Sequence, residues 1–233
     1  MNTLFQRTIK KPISCEGIGL FTGQAVKLTF RPAEVNSGIT FIASGTRIPA
    51  SPPEARSRRI RADIQNVLPQ YRRNAIGKDG IVIETIEHLM ATLNGLGVTN
   101  IDIGIATPSV LVMPEADPAP ERDNDIKSSP TSFEIPNTDG SARLFVDLLL
   151  KAGIEEQPAE NKALRIKTPL YYNNGECSIC ALPVDDDSLT IDYTFSHNAV
   201  IIGNQHLSIK LTEDNFISEI APARTFCMAD EVA

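Results

Sequence analysis

The segment IETIEHLMATLNGLGVTN, residues 83–100, constrains the fold more than any other part of the sequence. Its apolar residues recur at helical spacing, which predicts an amphipathic helix that ends at the GLG sequence. The residues of this apolar stripe are Ile86, Leu89, Met90, Leu93 and Leu96. Thr85 is the candidate N-cap. We expect the stripe to pack against a sheet.

Most of the other periodic segments alternate as strands do. FQRTIKKPISC and AVKLTFRPA flank the glycine-rich EGIGLFTGQ, which predicts a β-hairpin, and GITFIAS and NIDIGIA predict two further strands. SARLFVDLLLKAGI predicts a second helix that ends at Gly153. Before that helix, residues 108–136 contain six prolines among acidic and serine residues, without an apolar period. We expect this stretch to be a mobile insertion.

A polar link, EEQPAENK, precedes a second β-rich portion. Four strands are predicted there, within ALRIKTPLYYN, CSICALP, LTIDYTFSH and HLSIKLT. A last helix is predicted after the cap-like Thr212, through NFISEIAPARTF. We place a domain boundary near residue 157. The predicted fold class is therefore α+β, with a first domain over 1–157 and the N-terminal part of a second over 158–233.

Composition limits the classes of function. The formal net charge of -7 argues against nucleic acid as the main partner, because phosphate binding needs a basic surface. No apolar run reaches membrane-spanning length and the start MNTLFQRTIKKPIS has no secretory h-region, so we expect neither a transmembrane segment nor a signal peptide. The cysteines do not form a disulfide framework and indicate reduced thiols in a cytoplasmic protein. They are Cys15, Cys177, Cys180 and Cys227.

Glu87 and His88 stand side by side at the start of the predicted first helix. Neither lies on the apolar stripe, and the helix dipole favours a carboxylate and a neutral imidazole in the first turn. A neutral imidazole can bind a metal, and a carboxylate beside it can take a proton from water. The zincin motif is excluded, because Thr92 occupies the position of its second histidine. The alternative is a solvated helix start with a well-placed glutamate, and these two residues alone favour that simpler interpretation.

Other patterns have structural explanations that we prefer. CSIC has no second cysteine pair at zinc-like spacing, so we expect core packing. GIGLFTG lacks the third glycine and the following helix of a dinucleotide site, which favours a tight turn. The arginines between residues 56 and 73 fit a solvated basic face better than a diphosphate site. His197 and His206 are predicted to be surface residues at strand edges.

Four segments taken together resemble the UDP-3-O-acyl-N-acetylglucosamine deacetylase family of lipid A synthesis. They are GIGLFTGQAVKLTFRPA, TIEHLMATLNGLGVTN, TDGSARLFVDLLLKAGI and APARTFC, in the family's order and over essentially the whole chain apart from the proline-rich stretch. The resemblance implies a zinc-dependent amidase built from two similar two-layer α/β-sandwich domains, with the site between them. The implied substrate is the UDP-linked acylated N-acetylglucosamine, from whose nitrogen acetate is removed.

The resemblance also implies roles for individual residues. His88 matches a zinc ligand, and Glu87 matches the general base that takes a proton from the attacking water. Zinc lowers the pKa of its bound water to about 7 and polarises the acetamide carbonyl. Thr225 matches the hydroxyl that stabilises the oxyanion, Phe226 would line the path of the acyl chain, and Leu20 lies in the loop at the metal.

Asp139, in the TDGS sequence, matches a polar residue of the substrate site that supports the others. The chain departs from the family pattern beside it, where Thr138 replaces the methionine of M-D-G-S. It also departs in GLFTG, where Phe21 replaces the histidine of G-L-H-[ST]-G.

In the family, the sequence continues beyond ARTFC with the remaining zinc ligands, a histidine and an aspartate four residues apart, and with a later histidine. We find no counterpart of them here, so we expect that this chain alone does not hold zinc. The first hypothesis is one portion of a deacetylase, either truncated or complemented by a separate C-terminal polypeptide as partner. The alternatives are an inactive relative that binds the nucleotide sugar or acyl chain as a regulatory protein, and a gene remnant that barely folds.

Overall fold

The computed structural model of the protein describes residues 4–44, 58–70, 72–107, 131–198 and 201–226. Its strands are β1 (Phe5–Ile9), β2 (Ile13–Ile18), β3 (Ala25–Pro32), β4 (Ile39–Ser44), β5 (Arg59–Arg61), β6 (Val67–Leu68), β7 (Ala75–Lys78), β8 (Ile81–Glu84), β9 (Ile101–Ala106), β10 (Thr131–Glu134), β11 (Ile154–Glu160), β12 (Leu170–Asn173), β13 (Ser178–Ala181), β14 (Thr190–Ser196) and β15 (Asn204–Lys210). The helical elements are α1 (Glu87–Gly95), α2 (Arg143–Ala152), α3 (Glu213–Asn215), a 3-10 turn (Ile64–Asn66) and a π-helical segment (Phe216–Ile220). This mixed α/β fold with several sheets is compatible with the predicted α+β class.

The largest sheet has five strands in the order β2–β3–β9–β4–β5. β2 and β3 form the predicted antiparallel hairpin, but the predicted first strand FQRTIKKPISC is divided, and its first part, β1, pairs with β11 instead. The strands predicted in GITFIAS and NIDIGIA are β4 and β9, which pair in parallel inside this sheet. Alternate residues of β3 and β9 are buried, as the period of two predicts. Phe30 of β3 packs edge-to-face on Phe145 of α2, so the sheet covers that helix.

A four-stranded sheet, in the order β10–β8–β7–β6, leads the chain into α1. β6 and β7 of this sheet, and β5 of the larger one, come from the polar stretch before residue 80, where the sequence predicted no strands. These strands have only two to four residues. Such short strands contain too few positions for an alternating pattern to be recognised.

The edge strand of this sheet, β10, corrects the prediction made for residues 108–136. Residues 108–130 of the expected insertion lie outside the described residues, but Thr131–Glu134 form β10, parallel to β8, and Phe133 and Ile135 are buried. The expectation of a mobile segment over 108–136 is therefore wrong for its last part, which belongs to the core. β10 was missed because the five residues between Pro130 and Pro136 are too few to show a period.

α1 begins at Glu87, but Thr85 does not cap it as predicted. Thr85 has a φ of 59°, and its hydroxyl donates to Glu134 Oε1 at 3.2 Å instead of accepting from the helix. The predicted stripe is buried in the main core through Ile86, Leu89, Leu93 and Leu96. α2 ends at Gly153, whose φ is 75°, as predicted. No helix in the described ranges is long and apolar enough to cross a membrane.

The antiparallel pair β1–β11 joins the start of the chain to residues 154–160. The boundary predicted near residue 157 therefore falls inside a strand of the first portion. Gln157 Nε2 donates to Ala33 O at 2.9 Å, and Gln157 Oε1 accepts from Asn100 Nδ2 at 2.6 Å. The first portion thus extends through Glu160. The polar sequence EEQPAENK resembles a link, but most of it is the strand β11. A strand in a two-stranded pair needs few apolar residues, so its sequence shows no alternating apolar pattern.

The second portion contains the four predicted strands as two hairpins, β12–β13 and β14–β15. One face of the first hairpin carries Leu170, Tyr172 and Ile179, which are 58%, 63% and 68% exposed. Cys177 and Cys180 are exposed free thiols, so the core-packing role expected for CSIC is wrong. The similarity of this portion to the first domain stays a prediction.

The last helix begins as predicted, because Thr212 Oγ1 accepts from Asn215 N at 3.1 Å. It ends at Ile220, short of the predicted ARTF sequence. Phe216 in the π-helical segment packs against Gly95 of α1 and is buried in a small cluster with Val146 of α2. These contacts connect the second portion to both long helices.

Gly95 provides a test of this packing, because a Cβ there would overlap the Phe216 ring. We expect Gly95→Ala to lower the free energy of unfolding by about 1–3 kcal/mol through overpacking, although alanine favours a helix more than glycine does. Urea unfolding measures this change. Asn94→Ala, at the exposed neighbouring position, is the control and should be neutral or slightly stabilising. Equal stability of the two variants would contradict the contact.

Candidate active site

The start of α1 presents Glu87 and His88 side by side. Both side chains are half-buried, so neither is sealed inside the core. Glu87 Oε2 accepts a hydrogen bond from Asn74 N at 3.1 Å, and Asn74 O accepts from Ile86 N at 3.4 Å. The residue before β7 therefore holds both the backbone that enters the helix and the first acid of the helix.

His88 has a ring nitrogen that the described residues leave unsatisfied. Its Nδ1 is buried and has no hydrogen-bond partner among them. Buried polar atoms normally have a partner, so the unpaired Nδ1 is a feature of this site that needs an explanation. The carbonyl oxygen of His88 accepts a hydrogen bond from Thr92 Oγ1, four residues later in α1, at 2.9 Å.

The described part of the chain does not complete a metal site around His88. No group of three or more histidine, cysteine, aspartate or glutamate residues there could hold a metal ion. His206 Nε2 lies 2.7 Å from Asp192 Oδ1 on the surface of β14–β15, and His197 packs beside the ring of Phe195. A catalytic zinc takes about three protein ligands, and the described residues around His88 do not supply that number.

The turn between β2 and β3, residues 19–22, is hydrogen-bonded to a buried acid, Glu134. Leu20 and Phe21 are 62% and 52% exposed, whereas Glu134 is only 1% exposed. Two N–H groups of the turn donate to the Glu134 carboxylate at 2.8–3.1 Å. The same carboxylate accepts from the Thr85 hydroxyl. Glu134 therefore connects the predicted loop at the metal to the segment that enters α1.

Sequence reasoning missed three charged residues at this turn. The Arg73 guanidinium lies 4.4 Å from the centre of the Phe21 ring and 3.2 Å from Glu84 Oε1. Glu84 and Glu134 pair in register at the ends of β8 and β10, and both are buried. One signal could have found the two acids: each ends a short apolar segment, IVIE or SFE, where a charge needs specific partners.

Thr225 and Asp139 lie together before α2. Thr225 N donates to Gly140 O at 2.8 Å, and Arg224 Nε donates to the backbone oxygen of Asp139 at 2.6 Å. The ARTF segment (residues 223–226) therefore rests on the turn that contains Asp139. Thr225 is exposed.

The Asp139 carboxylate accepts hydrogen bonds within its own turn, the TDGS turn (residues 138–141). Its Oδ1 accepts from Ser141 Oγ at 2.7 Å and from Ser141 N at 3.1 Å. These hydrogen bonds and the charge of Arg224 hold the pKa of Asp139 below its ordinary value. Asp139 thus stabilises the turn on which Thr225 rests.

Phe226 is exposed beside β14. Its ring centre lies 5.9 Å from that of Phe195 and 5.7 Å from that of His197. An exposed aromatic group of this kind offers an apolar surface with a polar edge.

The predicted site residues fall into two groups. Leu20, Glu87 and His88 belong to the first, and Asp139, Thr225 and Phe226 belong to the second. The two groups are connected through contacts that involve α1 and the start of α2. Thr92 Oγ1 lies 3.5 Å from Ala142 O, and Ala142 N donates to Ala221 O at 3.0 Å, close to the start of the ARTF segment.

Comparisons with known proteins match nearly the whole sequence. The profile of LpxC, UDP-3-O-acyl N-acetylglycosamine deacetylase, matches residues 6–233. A UDP-3-O-acyl-N-acetylglucosamine deacetylase from Chlamydia trachomatis serovar L2 is 34% identical over 227 residues, or 97% of this chain and 67% of the relative. The chain belongs to this deacetylase family.

Two more relatives of the same name agree with this assignment. The protein from Syntrophotalea carbinolica is 35% identical over 98% of this chain and 63% of its own length. The protein from Thermodesulfovibrio yellowstonii is 35% identical over 95% of this chain and 63% of its own length. The chain thus spans about two thirds of the length of the curated relatives it matches.

Family membership confirms the resemblance seen in the sequence. The chain departs from the expected family pattern at Phe21 and Thr138. Where the family pattern led us to expect histidine, this deacetylase-family chain has Phe21, whose ring lies beneath the Arg73 guanidinium. Phe21 therefore contributes a stacking surface in place of an ionisable ring. Thr138, at the expected methionine, is exposed with a φ of 48° and lies 3.4 Å from Asp139 Oδ1.

The lowered pKa of Asp139 predicts a pH-dependent stability. A carboxyl group whose native pKa is below its ordinary value of 3.8 stabilises the fold above that value and loses this contribution as the pH falls through the native pKa. Asp139→Asn should therefore be destabilising at neutral pH, and its cost should shrink as the pH falls below 3.8. Urea unfolding across this range measures the difference.

Ser141→Ala is the matched background for this test, because it removes the hydroxyl donor to Asp139. Asp139→Asn should cost less in that background at neutral pH. An equal cost in both backgrounds would show that the Ser141 hydroxyl does not stabilise the charged carboxyl.

Proposed function

We propose that this deacetylase-family chain takes part in removing acetate from the sugar nitrogen of UDP-3-O-acyl-N-acetylglucosamine, the committed step of lipid A synthesis. The observation that carries the proposal is the start of α1, where a half-buried glutamate adjoins a histidine with a buried ring nitrogen that has no hydrogen-bond partner among the described residues. A solvated helix start does not require a buried imidazole nitrogen without a partner. Family membership supplies the substrate class.

Zinc is the cofactor that this site fits. We propose that His88 supplies one ligand and that groups outside the described residues supply the others. When bound, zinc would provide Lewis-acid activation of water and of the acetamide carbonyl. The same His88 nitrogen that lacks a hydrogen-bond partner would be available for the ion.

Glu87 is proposed as the general base. Its carboxylate is oriented by the Asn74 N–H, and α1 places it next to His88. As a water molecule attacks the acetamide carbon, Glu87 takes the proton from that water. The carbon–nitrogen bond then breaks, acetate leaves, and the sugar nitrogen takes up a proton to become the free amine.

Thr225 is proposed to donate its hydroxyl to the oxyanion that forms on the acetamide oxygen. It can do so because its backbone is fixed on the TDGS turn while its side chain is exposed. Leu20 and Phe226 are exposed apolar residues that we assign to the acyl chain. Asp139 acts on substrate binding by stabilising the turn beneath Thr225.

The partner and location follow from the same proposal. We infer that the part of the relatives that this chain does not match, either as a continuation of the chain or as a separate C-terminal polypeptide, completes a second domain and the zinc site. We also propose a cytoplasmic location, supported by the free thiols of Cys15, Cys177 and Cys180.

The test measures zinc content and acetate release with UDP-3-O-acyl-N-acetylglucosamine, for the chain alone and for the chain mixed with that C-terminal polypeptide. We expect the mixture to hold zinc and release acetate. Glu87→Gln should keep the zinc and lose roughly 10²- to 10⁴-fold in kcat, since it removes only the base. His88→Ala should lose both zinc and activity.

Matched controls are available on the surface of the second portion. His206→Ala removes an exposed histidine that pairs with Asp192, and Glu219→Gln removes an exposed glutamate. Both should leave zinc content and activity unchanged. A folded mixture that binds the sugar but neither holds zinc nor releases acetate would establish the alternative, an inactive binding protein.

A further inference from the structure

We propose that Glu134 is a positioning residue that fixes the loop of residues 19–22 relative to Glu87 and His88. The inference rests on the proposed function, because it concerns how that site is arranged for an acylated sugar. Glu134 itself stays away from the reacting atoms. It acts through the loop and through the segment that enters α1.

The Glu134 carboxylate is bound by neutral donors. Oε1 accepts from Phe21 N at 3.0 Å and from Thr85 Oγ1 at 3.2 Å, and Oε2 accepts from Thr22 N at 2.8 Å. Within the described ranges, no cation forms an ion pair with it. A buried charge without a counter-ion depends on such hydrogen bonds. If the loop moved away, the buried Glu134 carboxylate would lose its donors, which costs a large free energy.

The loop is also shaped to approach this acid closely. A Cβ on Gly19 would overlap Glu134 Oε2, and a Cβ on Gly17 would lie 2.6 Å from Pro136 Cβ. Only glycine leaves room at both places. The hairpin therefore contacts the chain around Glu134 over several residues, which specifies where Leu20 lies.

The Glu134 carboxylate also contacts the segment that enters α1. Thr85 has a φ of 59°, which is strained for a β-branched residue and persists only where the surroundings stabilise it. The hydrogen bond from its hydroxyl to Glu134 is one such interaction. Because Thr85 lies two residues before Glu87, one carboxylate fixes both the loop and the start of the helix.

Glu134→Gln tests the proposal, because an amide can accept at one terminal atom only and its NH₂ group would face the loop N–H donors. Gly19→Ala is an independent second variant, since it forces the loop away from an intact Glu134. Ser132→Ala is the control on the same strand, where the hydroxyl donates to Glu84 and not to the loop.

Two measurements are made on each folded chain. The ring signals of His88 in NMR spectra report on the start of α1. Calorimetry, with each chain mixed with the C-terminal polypeptide, compares the affinities for UDP-3-O-acyl-N-acetylglucosamine and for UDP-N-acetylglucosamine without the acyl chain. We expect the His88 signals to shift in both test variants and not in the control. Affinity for the acylated sugar should fall roughly tenfold more than affinity for the other sugar, because the loop carries Leu20 and Phe21.

The outcomes separate this inference from the proposed function. Unchanged His88 signals in folded Glu134→Gln or Gly19→Ala would overturn the positioning role, and so would an unaltered preference for the acylated sugar. If the starting protein mixed with the C-terminal polypeptide binds neither sugar, the proposed function fails. The His88 signals then decide the positioning role on their own.

Discussion

The parallel pairing of β10 with β8 determines how the candidate site is arranged, because it places two buried acids, Glu84 and Glu134, in register. Two neighbouring carboxylates repel each other, and each needs its own donors. Arg73 and Ser132 satisfy Glu84, whereas the loop N–H groups and Thr85 satisfy Glu134. The two acids therefore gather the β2–β3 turn, the segment before β7 and the entry to α1 around one strand pair.

Local periodicity was enough to predict much of this fold. The stripe of α1, the glycine end of α2, the β2–β3 hairpin and the strands of the second portion each follow from residues close together in sequence. β5, β6, β7 and β10 could not be predicted in this way, because they are short and are stabilised by strands distant in sequence. The same reason placed the boundary at residue 157, inside β11, whose partner is at the start of the chain.

The candidate site shows the same division. The periodicity of α1 predicted that Glu87 and His88 lie off the core face, and the structure has both half-buried. Their roles came from the family resemblance and not from spacing. Glu134 could not be found locally, since the contact between Phe21 and Glu134 spans 113 residues. Thr85 was assigned as a cap because threonine commonly is one, but a buried carboxylate competes for its hydroxyl.

The π-helical segment, Phe216–Ile220, has a consequence for the chain that follows it. Ala221 N donates to Phe216 O at 2.8 Å, five residues back, so this turn contains one residue more than an α-helical turn. Loss of one residue would turn the chain beyond it by about 100° around the axis. Thr225 would then leave its hydrogen bond to Gly140. The number of residues in this segment, as well as their chemical type, therefore determines the position of the Thr225 hydroxyl.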